Sequence, residues 1–443
     1  MVSNIGIKFV DKEITPFGGL VMFFKMLEKC NFEEVLKKSN MPIQGSNRGY
    51  NPFQLIQGLF AGVWCGASNY SHLDLVRYDR VLSKMIGWDI GAGHRAYQRY
   101  FNKFNQAINQ EVFGYLYKWF FGQLMFDNYT LDFDSTVMVR EGNQEGAVKG
   151  YNPKRPGRNS HHPLLAFVSD VRMIANYWLR PGNVSSSNNY VSFLHDTLDH
   201  LTNKKVGLVR MDSGFFKKEI LDCLEEKELK YIVACRFVPK IKYSLTHNKV
   251  WVNIEKGLEI AETTYQADTW DEPRRIVMVR QEIDIRPKAA GKQIKQLSLF
   301  ENETDYGKYR YSCFVTNMDL PMKIIYDLYR GRADSENRIK ELKYDFSIDH
   351  FVSQNFWATE ACSNFIVLAY NFLSLFRHTL INSPKKKFLK TIRYELLTTS
   401  AYFKSHKDKH ILYLARSIKT RKSIIGIWKN LDSFALPCNM EKF

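Results

Sequence analysis

The seven cysteines of this chain, at positions 30, 65, 223, 235, 313, 362 and 438, stand singly, with no CxxC pair among them. That scatter excludes a zinc ribbon and offers no disulfide framework, so a reducing, cytoplasmic setting is expected. Long apolar runs are missing too. Nowhere do about 18 consecutive apolar residues occur, so no membrane span is expected. The start, MVSNIGIKFVDKEITPFGG, lacks the basic-then-apolar order of a secretory signal. Internal repeats and low-complexity tracts are absent. Acidic residues are under-represented: 46 Asp and Glu face 63 Lys and Arg, a formal net charge of +17. Such a surplus implies a polyanionic partner, most often nucleic acid. It is steepest at the end, where residues 381–443 hold 14 basic and 4 acidic side chains.

What is present is ample apolar material, 45% of 443 residues, enough for folded cores and too much chain for one of them. Residues 1–125 read as a helical, DNA-binding domain. From His94, helical spacing sets Ala96, Tyr97, Tyr100, Phe101 and Phe104 on one side and Arg95, Gln98, Arg99, Asn102 and Lys103 on the other. An apolar back with a basic, amide-bearing front suits a helix entering a DNA groove, with Arg95 and Arg99 as contacts. An ordinary amphipathic helix with a solvated face has the same pattern.

Near Asp127 the period changes from helical to alternating. YTLDFDSTVMVR, HPLLAFVSD and RMIANYWLRPG read as strands, followed by helix, strand (VGLVRMDSG), helix and strand (KYIVACRF). That order implies an α/β fold with a mixed central sheet over 126–238. Four strand-like segments between 239 and 315, with a charged tract at 287–310, read as a β-rich insertion. Helices return over 316–380, and residues 381–443 form a basic, mainly helical C-terminal region.

Three acidic positions stand out. In LDFDST, Asp132 and Asp134 alternate with Leu131 and Phe133, so both carboxylates leave the same sheet face. In VGLVRMDSG, Asp212 ends a hydrophobic strand, the usual place for a ligand site in such sheets. The third lies in YRGRADSENRIKELKYDF. Taken as one helix over 321–346 at about 100° per residue, Tyr329, Arg332, Glu336, Lys340 and Lys343 share a narrow face. Asp334 and Glu341 point away. Ile324, Leu328, Ile339, Leu342 and Phe346 form an apolar stripe beside that face, putting Glu336 at its edge. Two strand aspartates and a helix glutamate are hard oxygen donors suited to Mg²⁺ or Mn²⁺ in two-metal phosphoryl transfer. Each has a plainer reading: aspartates cap turns, and Glu336 with Lys340 makes a surface pair worth tenths of a kcal/mol.

Tyr329, Arg332, Glu336 and Lys343 reproduce the Y-(2)-R-(3)-E-(6)-K signature of a large group of bacterial insertion-sequence DDE transposases. LDFDST and RMDSGFF resemble that group's two aspartate motifs, and GYNPKRPGRNSHHPL resembles a stretch found in one branch of it. The likeness runs over roughly residues 20 to 430. It implies a ribonuclease-H-like core interrupted by an all-β insertion, and a catalytic triad of Asp134, Asp212 and Glu336 binding two Mg²⁺ ions, with Mn²⁺ able to substitute. Asp134 is preferred to Asp132 for its Asp-Ser-Thr context; spacing alone does not decide. By the same resemblance Tyr329, Arg332 and Lys343 face phosphates at the transposon end, with Lys340 on the same helix face a further candidate DNA contact, and an insertion tryptophan stacks on a flipped base, Trp270 being the candidate and Trp251 its rival. The resemblance implies cut-and-paste transposition of double-stranded DNA by a homodimer at the nucleoid. An inactive, DNA-binding descendant or a nuclease without strand transfer shares most of these features. His161 and His162, just before a strand, are candidate metal ligands but read more readily as loop residues or phosphate contacts. Lys149, Lys154, Arg155 and Arg158 form a basic loop that either lies on DNA or is solvated.

Overall fold

The structure is a computed structural model describing residues 5–45, 49–152, 155–202, 204–248, 250–282, 309–381, 387–406 and 409–440. Alternating and β-branched segments between Tyr129 and Ala234 supply five strands of the central sheet: β1 (Tyr129–Ser135), β2 (Leu164–Val168), β3 (Met173–Trp178), β4 (Val206–Met211) and β5 (Tyr231–Ala234). β1, β2 and β3 are antiparallel neighbours, whereas β4 runs parallel to β1 and β5 parallel to β4. The order across the sheet is β3-β2-β1-β4-β5.

The inserted strands do not form a sheet of their own. β6 (Val252–Glu255), β7 (Leu258–Tyr265), β8 (Arg274–Glu282) and β9 (Tyr309–Thr316) make an antiparallel run. β9 then pairs with β5 through Phe314–Ala234, Val315–Val233 and Thr316–Ile232, giving one nine-stranded sheet. Most of the charged 287–310 tract lies outside the described residues.

The helix Phe356–Thr379 is buried along nearly its whole length. On one side Asn371 holds both the N–H and the C=O of Ile174 in β3 at 2.8 Å. On the other, the N-terminal helices press in: Trp64 donates to Ala369 O, and the Phe23 and Phe376 rings stack at 4.1 Å. Among the described residues no helix is long and apolar enough to cross a membrane.

Three local readings change. The stretch read as helical from His94 onward is two helices, His94–Phe101 and Gln106–Gly122, because the Asn105 side chain caps Ile108 N and starts a new one. The expected helix over 321–346 breaks into Met322–Arg330 and Ala333–Tyr344. Tight turns bridge the break, Arg332 N to Tyr329 O and Ser335 N to Arg332 O, each 2.9 Å. The break rotates one half against the other. Ile324, placed on the apolar stripe, is 43% exposed, and Ile325 is buried instead. Glu341, read as pointing away, is buried against Arg377 and accepts Leu389 N at 2.7 Å. Finally, the C-terminal region combines its helices with strands. Its period-two segment folds as an antiparallel hairpin, Ser400–His406 with Lys409–Ala415, before the helix Ile418–Ser433.

Candidate active site

Strand alternation sends Leu131 and Phe133 to one face of β1, where Phe133 meets the rings of Tyr190 and Phe193. Asp132 and Asp134 leave the other face, both buried. Their partners differ. Asp132 lies opposite Arg210 of β4 and is gripped at both oxygens, Nε to Oδ1 at 2.6 Å and Nη2 to Oδ2 at 2.8 Å. Arg210 also reaches Leu328 O and Ser169 Oγ. Its guanidinium passes so close to Gly331 that a Cβ there would stand 2.5 Å from Nη1. Asp132 is therefore neutralised within the scaffold.

Asp134 has no such fork. Its Oδ1 accepts Ser135 N at 2.8 Å, and its Oδ2 stands 3.0 Å from Arg332 Nη2. Burial pushes its carboxyl up to about 6; Arg332 works against this, while Asp212 and Glu336 add to it. Asp212, at the end of β4, caps the turn Ser213–Phe215 by accepting Gly214 N at 2.8 Å, and its Oδ2 lies 4.0 Å from the same Arg332 nitrogen. One guanidinium thus sits between two strand-end aspartates. Burial tends to lower the Arg332 pKa, but Asp134, Tyr329 and Asp212 outweigh it and raise the pKa. Its Nε and Nη2 have no hydrogen-bond partner among the described residues.

Glu336 follows Arg332 by four residues, one helical turn on. It is exposed and makes no hydrogen bond or ion pair among the described residues, yet its charge is felt at Asp134. Tyr329 packs its ring 4.2 Å from Phe314 of β9, and burial pushes its hydroxyl up to about 12, with Arg332 opposing and Asp212 and Asp134 assisting. Lys343 donates to Val137 O at 2.7 Å, just past the end of β1. Lys340 is exposed on the outer surface of its helix. Asp134, Asp212, Glu336, Tyr329, Arg332 and Lys343 are therefore gathered at one end of the sheet.

The remaining candidates lie elsewhere. Trp270 is buried, edge-on to Phe216 and Tyr265 at 5.6 and 5.2 Å, with Arg274 over its ring. Its faces are taken by its own neighbours, so it presents no platform for a base. Trp251 is half-buried beneath Arg280. Arg95 and Arg99 are exposed on the helix whose Tyr97, Tyr100 and Phe101 are buried. One participant, Arg210, escaped sequence reasoning. Arg210 was the available cation for Asp132, two residues before Asp212 and therefore on the same face. His162 is buried with Nδ1 2.8 Å from Val184 O. Burial lowers its pKa, and it lies in the fields of Asp212 and Lys343.

Among the described residues, no three His, Cys, Asp or Glu side chains stand close enough to hold a metal ion as they are arranged. The donor chemistry nevertheless fits a divalent cation. Asp134 and Asp212 are hard oxygen donors converging on one cationic group.

The family model described as Transposase DDE domain, group 1, matches residues 2–435. Among solved structures, a piggyBac transposase synaptic complex with hairpin DNA, determined by cryo-EM, is similar at 11% identity over 86% of this chain and 79% of that one, with a TM-score of 0.43. No curated protein sequence matches the chain.

Proposed function

Because this chain belongs to the group 1 family of transposase DDE domains, we propose that it is a cut-and-paste DNA transposase acting on the terminal inverted repeats of an insertion sequence. The observation that carries the reading is the convergence of Asp134 and Asp212 on Arg332, with Glu336 one turn further along the same helix. The strand order β3-β2-β1-β4-β5, antiparallel then parallel, supports a ribonuclease-H-like core; the insertion after it is not all-β as expected, since it opens with the helix Pro239–His247 before its four strands.

Asp134, Asp212 and Glu336 would hold two Mg²⁺ ions, or Mn²⁺ in their place. Such ions, when bound, activate the attacking oxygen and stabilise the leaving one in an in-line displacement. The side chains supply the rest. Asp132 and Arg210, neutralising each other, tie β1 to β4 without adding charge to the site. Arg332 pairs its Nη2 with Asp134 and keeps its Nε without a hydrogen-bond partner among the described residues, and a guanidinium is a group that a DNA phosphate accepts from. Lys343, fixed to Val137 O, adds a second positive point at the same end, and Tyr329 bounds the site on the insertion side. The helices of residues 1–125, with Arg95 and Arg99 outward, and the basic region 381–443 hold the element's ends. Two copies of the chain pair those ends as a homodimer.

Supercoiled donor DNA carrying the native ends, incubated with Mg²⁺, tests this reading. The wild type is expected to give excised and joined products. Asp134→Asn, Asp212→Asn and Glu336→Gln are expected to shift the DNA on a gel and give neither product. Breaks without joining in the wild type would indicate a nuclease, and a shifted band alone a DNA-binding protein without catalysis.

A further inference from the structure

Away from the strand-end aspartates, the edge strand β3 borders a cavity of about 120 Å³. The helices Gln106–Gly122 and Tyr190–His200 and the central helix Phe356–Thr379 complete its walls. Space on that scale holds a short alkyl group or a few waters. Among the described residues that line it there is no Lys or Arg.

Glu360 is buried in this wall. Its Oε1 accepts Leu179 N at 3.0 Å and its Oε2 accepts Asn109 Nδ2 at 2.9 Å. Both donors are neutral, and among the described residues Glu360 makes no ion pair. Burial pushes its carboxyl up to about 7. A carboxylate buried without a cation is costly, and a cation bound beside it removes the cost.

Asn109 gives a second sign, independent of charge. It lines the same cavity, is 4% exposed, and donates Nδ2 to both Glu360 and Trp357 O, the latter at 3.1 Å. Those two acceptors fix which way the amide faces. Its Oδ1 is left buried with no hydrogen-bond partner among the described residues. Asp196 also lines the cavity, with Asn176 Nδ2 and Trp178 Nε1 donating to it at 2.8 and 2.9 Å. The polar part of the wall therefore lacks a positively charged N–H donor. Much of the rest is aromatic, with Phe113, Trp178 and Trp357 suited to an alkyl chain and to a cation over a ring. Gly114, within the helix Gln106–Gly122, keeps room on one side: a Cβ built there meets nothing within 4 Å.

We propose that this cavity binds an aliphatic ammonium ion. Glu360 supplies the counter-charge, Asn109 Oδ1 accepts one N–H, and the aromatic side chains cover the alkyl chain. The site shares no residue with Asp134, Asp212 and Glu336 and does not depend on the transposase reading.

The test is calorimetric titration of the full chain with n-butylammonium chloride at constant ionic strength, read beside the melting temperature. The wild type is expected to bind one equivalent saturably and to melt higher with it, and 1-butanol, the uncharged counterpart, is expected to do neither. Glu360→Gln is expected to weaken binding by about tenfold or more. Gly114→Leu puts a better helix former into the open space, so it is expected to melt no lower than the wild type and to lose binding. That variant keeps the test decisive if Glu360→Gln folds poorly. Absence of saturable binding to the wild type, equal binding of 1-butanol, or binding that survives in a folded Gly114→Leu would each overturn the proposal. Cleavage by Asp134→Asn bears on the transposase reading alone.

Discussion

Replacing Arg210 with methionine should unfold more of this protein's stability than any other single change near the site. Arg210 and Asp132 are 6% and 1% exposed at their side chains and joined by two short charge-assisted bonds. Removing the guanidinium strands a carboxylate in the sheet's interior, at a cost of about 3–5 kcal/mol. Asp132→Leu strands the guanidinium instead and should cost a similar amount. The double variant Arg210→Met/Asp132→Leu buries no charge and should recover to within about 1–2 kcal/mol of the wild type, because a buried pair is worth little against a well-packed apolar replacement. Urea unfolding at pH 7, followed by far-ultraviolet circular dichroism, gives all three differences as midpoint shifts at constant slope. The double variant should also keep metal-dependent cleavage, which Asp134→Asn should not. If Arg210→Met costs less than about 1 kcal/mol, or if the double variant is as unstable as the two single changes combined, the two groups are not a coupled buried pair. The division of labour between Asp132 and Asp134 would then fall with it.

Other perturbations test neighbouring parts of the structure. Asp134 is raised from 3.8 to about 6, so its ionisation opposes folding. Its favourable contribution is complete below pH 3.8 and is lost as the pH rises through about 6. Without metal at pH 8, Asp134→Asn should exceed the wild type by about 3 kcal/mol, a gap that closes at low pH; parallel pH–stability curves would contradict this. Gly331→Ala would ordinarily help a helical segment, but its Cβ meets Arg210 Nη1 at 2.5 Å, so thermal melting should report a loss of about 1–3 kcal/mol. Glu341→Gln removes half of a pair with Arg377 whose side chains are 4% and 13% exposed. A loss of about 3 kcal/mol is expected in the same melts, and a neutral result would place Glu341 back in solvent.

Residue order alone carried a large part of this structure. The alternation in LDFDST identifies the face that bears both aspartates, because a strand's two faces follow from its local period. VGLVRMDSG places Asp212 at a strand end for the same reason. The parts that were not legible depend on distant partners. Arg210 meets Asp132 only once β4 lies in register beside β1. The break at Gly331 follows from the same guanidinium, and the helical phase read across it failed at Ile324 and Glu341. Trp270 was singled out for its residue type, but its burial is decided by Phe216, Tyr265 and Arg274. The C-terminal hairpin, by contrast, is written locally, in the alternation of SAYFKSH and KHILYLA, which basic composition alone does not reveal.

Joining the inserted strands to β5 makes a ruler. With neighbouring strands about 4.8 Å apart, the six steps from β1 to β6 span roughly 29 Å of continuous backbone ladder. A lobe hung on loops would swing, whereas this edge moves only by twisting the whole leaf. Anything gripped along β6 is thereby held at a set offset from Asp134, close to the length of one turn of a B-form helix.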